Sequence, residues 1–161
     1  MTKKTRMKRL KAGDVFEFEV SPSQVAIGQV LIPGVVFYTC VFEQLLDVHY
    51  SDLPDLSSLP IALVGWTTGE EFNFGTWSLV GNQPPRLDAP KPCHKVNTPQ
   101  GLAIHDFDGK FVRLVMGHDE AFYPYKQSIS GRAFIEDMKA IARGDSPRNS
   151  LSVSFLQKRV C

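Results

Sequence analysis

Three apolar runs between Asp14 and Phe42, each closed by turn chemistry, commit the start of the chain to a sheet. Asp14-Val15-Phe16-Glu17-Phe18-Glu19-Val20 alternates with period two, so a strand here carries Phe16, Phe18 and Val20 on one face and Glu17 and Glu19 on the other. Ser21-Pro22-Ser23 ends it. Gln24 to Leu31 and Val35 to Phe42, rich in Val, Ile, Phe and Tyr, flank Pro33-Gly34 and predict two more strands about a tight turn. An antiparallel meander follows.

Ile61 to Trp66 and Phe74 to Val80 are two further predicted strands either side of Thr67 to Glu71. Five of the eleven prolines crowd into Pro84 to Pro99, where they remove ladder donors and predict an excursion over the surface. Leu102 to Phe107 and Lys110 to Val115 bracket Asp108-Gly109, the signature of a two-residue type I′ hairpin with positive φ at both positions. Ser130 can cap a helix running through Arg143, with Phe134, Ile135, Met138 and Ile141 as its apolar stripe and Gly144 at C′. Leu151 to Leu156 reads as a last strand. The expected fold is mainly β (α+β): a strongly bent antiparallel sheet or partly closed barrel with one helix from the C-terminal half packed on it. At 161 residues the chain can bury roughly 68–70% of its unfolded surface, enough for one domain over residues 12–161 behind a basic tail, 1–11.

The formal charge of +1 conceals three blocks. Lys3, Lys4, Arg6, Lys8, Arg9 and Lys11 place +6 on the first eleven residues. Ala12 to Pro85 holds nine acids and no Lys or Arg, and Arg86 to Cys161 holds twelve bases against eight acids, so the blocks are +6, −9 and +4. Charges on a soluble surface are normally interspersed, so a base-free stretch of this length projects a negative potential if Glu17, Glu19, Glu43 and Asp47 share a face. These four are the candidate partner-binding residues. The basic tail could release counterions from nucleic acid, but no aromatic interleaves its charges to stack bases, so nucleic acid is not the expected partner.

No run approaches the roughly 18 apolar residues of a membrane span, and the basic start leads into Gly13-Asp14 rather than into an apolar signal core, so no membrane partner is expected. Cys40, Cys93 and Cys161 are odd in number, far apart and without a Cys-x-x-Cys pair, which predicts reduced thiols and a cytoplasmic protein.

Catalytic groups are sparse. His105-Asp106 and His118-Asp119 are the best available metal ligands, but a regular Asp108-Gly109 hairpin pairs His105 with Val112 and puts His118 six residues further along, roughly 20 Å away at ~3.3 Å per residue. Ligands ~2.1 Å from one zinc cannot come from both unless the strand breaks near Gly117. Cys93 and His94, as neighbours on extended backbone, point to opposite faces and make no nucleophile and base. No nucleophile-elbow, Walker or dinucleotide-binding pattern occurs, and no cofactor is called for.

Lys11 to Phe18 (Lys-x-Gly-Asp-Val-Phe-Glu-Phe), Ile27-Gly28-Gln29-Val30-Leu31, and Gly75-Thr76-Trp77-Ser78-Leu79-Val80-Gly81 followed by Pro84-Pro85 occur in an order that resembles the immunity protein 26 family of bacterial polymorphic toxin systems. That family is grouped with a small phosphotriesterase called HocA. The resemblance covers Lys11 to Pro92 and implies a mainly β cytoplasmic protein that neutralises a cognate toxin by binding it, with no catalytic residue to carry over. An acidic inhibitor can cover the basic active site of a toxin that cuts nucleic acid, so charge points to a nuclease. Two alternatives stand beside it: a metal-dependent phosphotriesterase-like hydrolase using His105, Asp106, His118 and Asp119, and a small β-barrel that binds nucleic acid through Met1 to Lys11.

Overall fold

The computed structural model describes residues 9–148, 151–152 and 161. Alternation and turn chemistry produce β1 (Asp14–Ser21), β2 (Gln24–Ile32), β3 (Val36–Asp47) and β4 (Ile61–Thr68) as an antiparallel meander. With β5 (Trp77–Asn82) and the two-residue β9 (Leu151–Ser152) they form one sheet in the order β5-β1-β2-β3-β4-β9. Its outermost strands, β5 and β9, lie at opposite edges, so the sheet is open among the described residues and no closed barrel forms. A second sheet comprises β6 (His94–Thr98), β7 (Gly101–His105) and β8 (Phe111–Leu114). The mainly β, α+β class is therefore present, with three α-helices among the described residues: α1 (Glu70–Phe74), α2 (Asp119–Phe122) and α3 (Gly131–Ala142). None is long and apolar enough to cross a membrane.

The large sheet is buried on both faces, which explains why β2 reads as a near-continuous apolar run rather than an alternating one. On one face Phe16, Phe18, Val20, Val30 and Leu63 pack against Trp77 and against Phe134 and Met138 of α3. Ser130 Oγ caps α3 by accepting the Ala133 N–H at 3.3 Å, and Gly144 follows the helix at φ +82°. On the other face Val15, Ile27, Tyr38, Phe42 and Val64 are covered by Leu56, Ala89 and Phe107. Leu10, within the expected tail, is buried in the first of these cores.

Four local expectations change. The strand expected to end at Phe42 continues to Asp47, carried past a bulge at Val41/Phe42 by pairing of Leu45, Leu46 and Asp47 with β2. Phe74 to Val80 is not one strand: Glu70–Phe74 coils into α1, with two acids in its first turn and Gly75 at φ +76° ending it before β5 starts. The proline-rich stretch hides β6, because Pro92 and Pro99 flank the strand instead of interrupting it. At Asp108-Gly109 only Gly109 takes positive φ; Asp106 N–H donates to Lys110 O and Gly109 N–H to Asp106 O, a three-residue loop with a glycine bulge in place of the two-residue type I′ turn. A further bulge at Ile104/His105 pairs His105 with Phe111 rather than with Val112. Of the last expected strand, Leu151 and Ser152 pair with Val64 and Leu63; 153–156 lie outside the described residues.

Candidate functional site

β5 begins at Trp77 opposite Phe18, so Glu19, Val20 and Ser21 continue β1 with no β5 partner. This step opens into a groove of about 1010 Å³ between β1, the turn after α1, and α3. Phe18, Val20, Phe74 and Ile135 supply apolar wall, and Phe74 is 74% exposed. Glu17, Glu19, Glu71 and Glu136 line it together with Arg132 and Lys139, four carboxylates and two cations. Lys139 is already paired with Glu136 at 3.7 Å. Glu71 is buried, its stem packed where a Cβ at Gly131 would go, and its carboxylate accepts from Thr76 Oγ1.

Glu17 is fixed from the other side by the Tyr50 hydroxyl, which donates to its Oε2 at 2.6 Å. Burial first, and then this hydrogen bond, hold the Tyr50 phenol well above its usual pKa, so it remains a donor at neutral pH. The four candidate acids do not share one face. Phe18 and Val20 enter the α3-side core, so Glu17 and Glu19 project to the opposite side, whereas Glu43 and Asp47 alternate with Leu46 and lie on the α3 side with Leu45. Asp47 nonetheless ends β3 beside Gln24, and the next residue, Val48, lines the groove.

Among the described residues, none of the nine acids between Ala12 and Pro85 forms an ion pair. Arg86–Asp88, Arg113–Asp119, Lys139–Glu136 and Arg143–Asp145 all fall at or beyond Arg86. Among the described residues the acids of the first half thus have no cation in ion-pair contact, although Arg132 and Lys139 line the same groove as Glu17 and Glu19.

The candidate metal ligands are not brought together. Asp106 Oδ1 closes its own loop by accepting the Lys110 N–H at 2.8 Å. Asp119 is buried and gripped by Arg113, with Nη2 to Oδ1 at 3.0 Å, and accepts the Met116 N–H at 2.8 Å; these bonds, Arg113 foremost, hold its carboxyl down to about 2. His118 stacks edge-on to Phe122. His105 instead lies directly across from His94, ring centroids 6.3 Å apart, a pairing invisible without β6. Among the described residues no group of three or more His, Cys, Asp or Glu is placed to hold a metal ion. Cys93 forms a disulfide with Cys161, Cα atoms 5.7 Å apart, correcting the expectation of three reduced thiols; 68 residues of sequence separation carry no information about distance once β6 has folded back. Cys40 is a buried free thiol pushed up to about 12 by desolvation, inert as a nucleophile. Trp77 is core, stacked on Phe16 at 4.4 Å, while half-buried Trp66 lines a small cavity between the two sheets.

The chain matches no protein-family model, no curated protein and no solved structure.

Proposed function

We propose that this chain is a binding module of the immunity type, which neutralises a cognate bacterial toxin by seating part of it in the groove beside β1. The observation that carries the reading is the absence of any ion pair to the nine acids of Ala12 to Pro85 among the described residues, Glu17 and Glu19 lining the groove of about 1010 Å³. Unpaired surface carboxylates around an apolar floor favour a partner with basic and apolar side chains, steer its approach and reject acidic competitors. A nuclease toxin, whose own site must attract phosphate, fits that chemistry.

The test is protection. Co-expression with the cognate toxin should restore growth, and the double variant Glu17→Lys/Glu19→Lys should lose that protection while remaining folded. Equal protection by the variant removes the groove from the account. Chelator-sensitive hydrolysis of a chromogenic phosphotriester by the purified chain, lost in His105→Ala or His118→Ala, would replace the binding reading with the hydrolase one.

A further inference from the structure

A strand whose edge is unpaired presents a row of backbone N–H and C=O groups that a further strand can join. β1 has such an edge at Glu19 to Ser21. β2 pairs with this stretch on one side, with Val25 opposite Glu19 and Gln24 opposite Ser21, whereas β5 on the other side reaches only as far as Trp77 opposite Phe18. Thr76, just before β5, donates its N–H to Glu71 O at 3.0 Å, so the chain turns off into α1 instead of running on beside β1. Among the described residues no strand follows β5 along the remaining edge, which spans roughly 10 Å at ~3.3 Å per residue.

The groove wraps around this edge rather than lying on one face of the sheet. Phe18 and Val20 belong to the core under α3 and Val25 to the core on the opposite face, yet all three line it. A strand laid along the edge continues the sheet, so its side chains alternate between the same two faces. On one face lie Glu17 and Glu19, neither with an ion-pair partner among the described residues. The other face holds Val20 and, from α3, Ile135 together with Arg132 and Lys139.

The two faces select different side chains. A Lys or Arg of the added strand on the first face makes opposite-charge cross-strand pairs with Glu19 and, diagonally, with Glu17. The same cation on the α3 face shares it with Arg132 and Lys139, where an apolar side chain instead extends the cluster to which Val20 and Ile135 belong. A uniformly basic segment is thus disfavoured. On the reading of this groove as the binding site, we propose that the partner enters it as an extended segment in which Lys or Arg alternates with apolar residues, added as a strand to the open edge of β1 at Glu19 to Ser21. Main-chain hydrogen bonds then supply affinity and the alternation supplies specificity.

Three end-blocked hexapeptides, titrated into the full chain and followed by amide NMR, test the strand: alternating Lys-Val, all-Lys, and the alternating peptide with every backbone N–H methylated. The alternating peptide should bind at least tenfold more tightly than the all-Lys peptide, although the latter carries twice the charge. It should also slow exchange of at least one amide among Glu19, Val20 and Ser21 tenfold or more, and methylation should abolish both effects. Glu19→Lys, on the exposed face of the strand, should weaken the alternating peptide tenfold or more with the rest of the spectrum unchanged. No binding by the alternating peptide, binding of the all-Lys or methylated peptide as tight as its own, or β1 amides left unprotected would each overturn strand addition. Failure of the groove itself reads differently: a Glu17→Lys/Glu19→Lys chain that still protects against the toxin removes the groove as its seat whatever the peptides do, whereas lost protection with indifferent peptides removes only the strand.

Discussion

Gln29→Leu separates a structural from a functional reading of the Ile27-Gly28-Gln29 motif. Gln29 is fully buried in β2, and its side-chain amide donates to the carbonyls of Gln83 at 3.0 Å and Pro84 at 3.1 Å while its Oε1 accepts the Arg86 N–H at 3.1 Å. One side chain therefore fastens the start of the proline-rich excursion to the centre of the sheet, and Arg86 extends the clasp by donating to Leu56 O at 2.8 Å. Leucine keeps the volume and removes all three bonds. At about 1 kcal/mol for each net hydrogen bond the loss is about 3 kcal/mol, more if water cannot reach the abandoned carbonyls. In a domain of this size that lowers Tm by roughly 6–12 °C. Thermal melts followed by circular dichroism measure it, and a urea titration should show a lower midpoint at unchanged slope. A Tm within about 2 °C of the unaltered chain would refute the clasp.

Two further predictions concern stability. Closing the 68-residue span between Cys93 and Cys161 should stabilise the oxidised protein by about 4 kcal/mol through lost unfolded-state entropy, so reductant or Cys161→Ser should lower Tm by roughly 8–16 °C; coincident melts, or ready alkylation of Cys93 without reductant, would contradict the pairing. Asp119 titrates lower folded than unfolded, so its contribution is present above pH ~4 and is lost as pH falls toward 2. Asp119→Asn should flatten the fall in stability between pH 4 and pH 2, and an unchanged profile would mean that Arg113 does not grip it.

Much of the sheet was legible because alternation and burial coincide: Phe16, Phe18 and Val20 point inward in the structure as period two requires, and Ser130 caps α3 as its position suggested. Failures came where tertiary context overrides local preference. Phe74 and Trp77, with Leu79 and Val80, read as one strand, yet Gly69 and Gly75 bracket five residues that coil into α1 and take Phe74 with them. β6 was illegible because its prolines sit just outside it. The acids were legible as a block but not as a surface, since Glu17 and Glu19 fall on one face of the sheet and Glu43 and Asp47 on the other, which follows from the extension of β3 past Phe42 and its pairing with β2. His94 could not be matched to His105 until β6 existed.

The most direct test of the binding account is the association rate between this chain and the toxin it is proposed to neutralise, measured by stopped flow across a salt series for the unaltered chain and for Glu17→Lys/Glu19→Lys. Uncompensated carboxylates at the groove predict fast, strongly salt-dependent association that the double variant slows by tenfold or more at low salt and renders nearly salt-independent. Identical rates and identical salt dependence for the two proteins would contradict it.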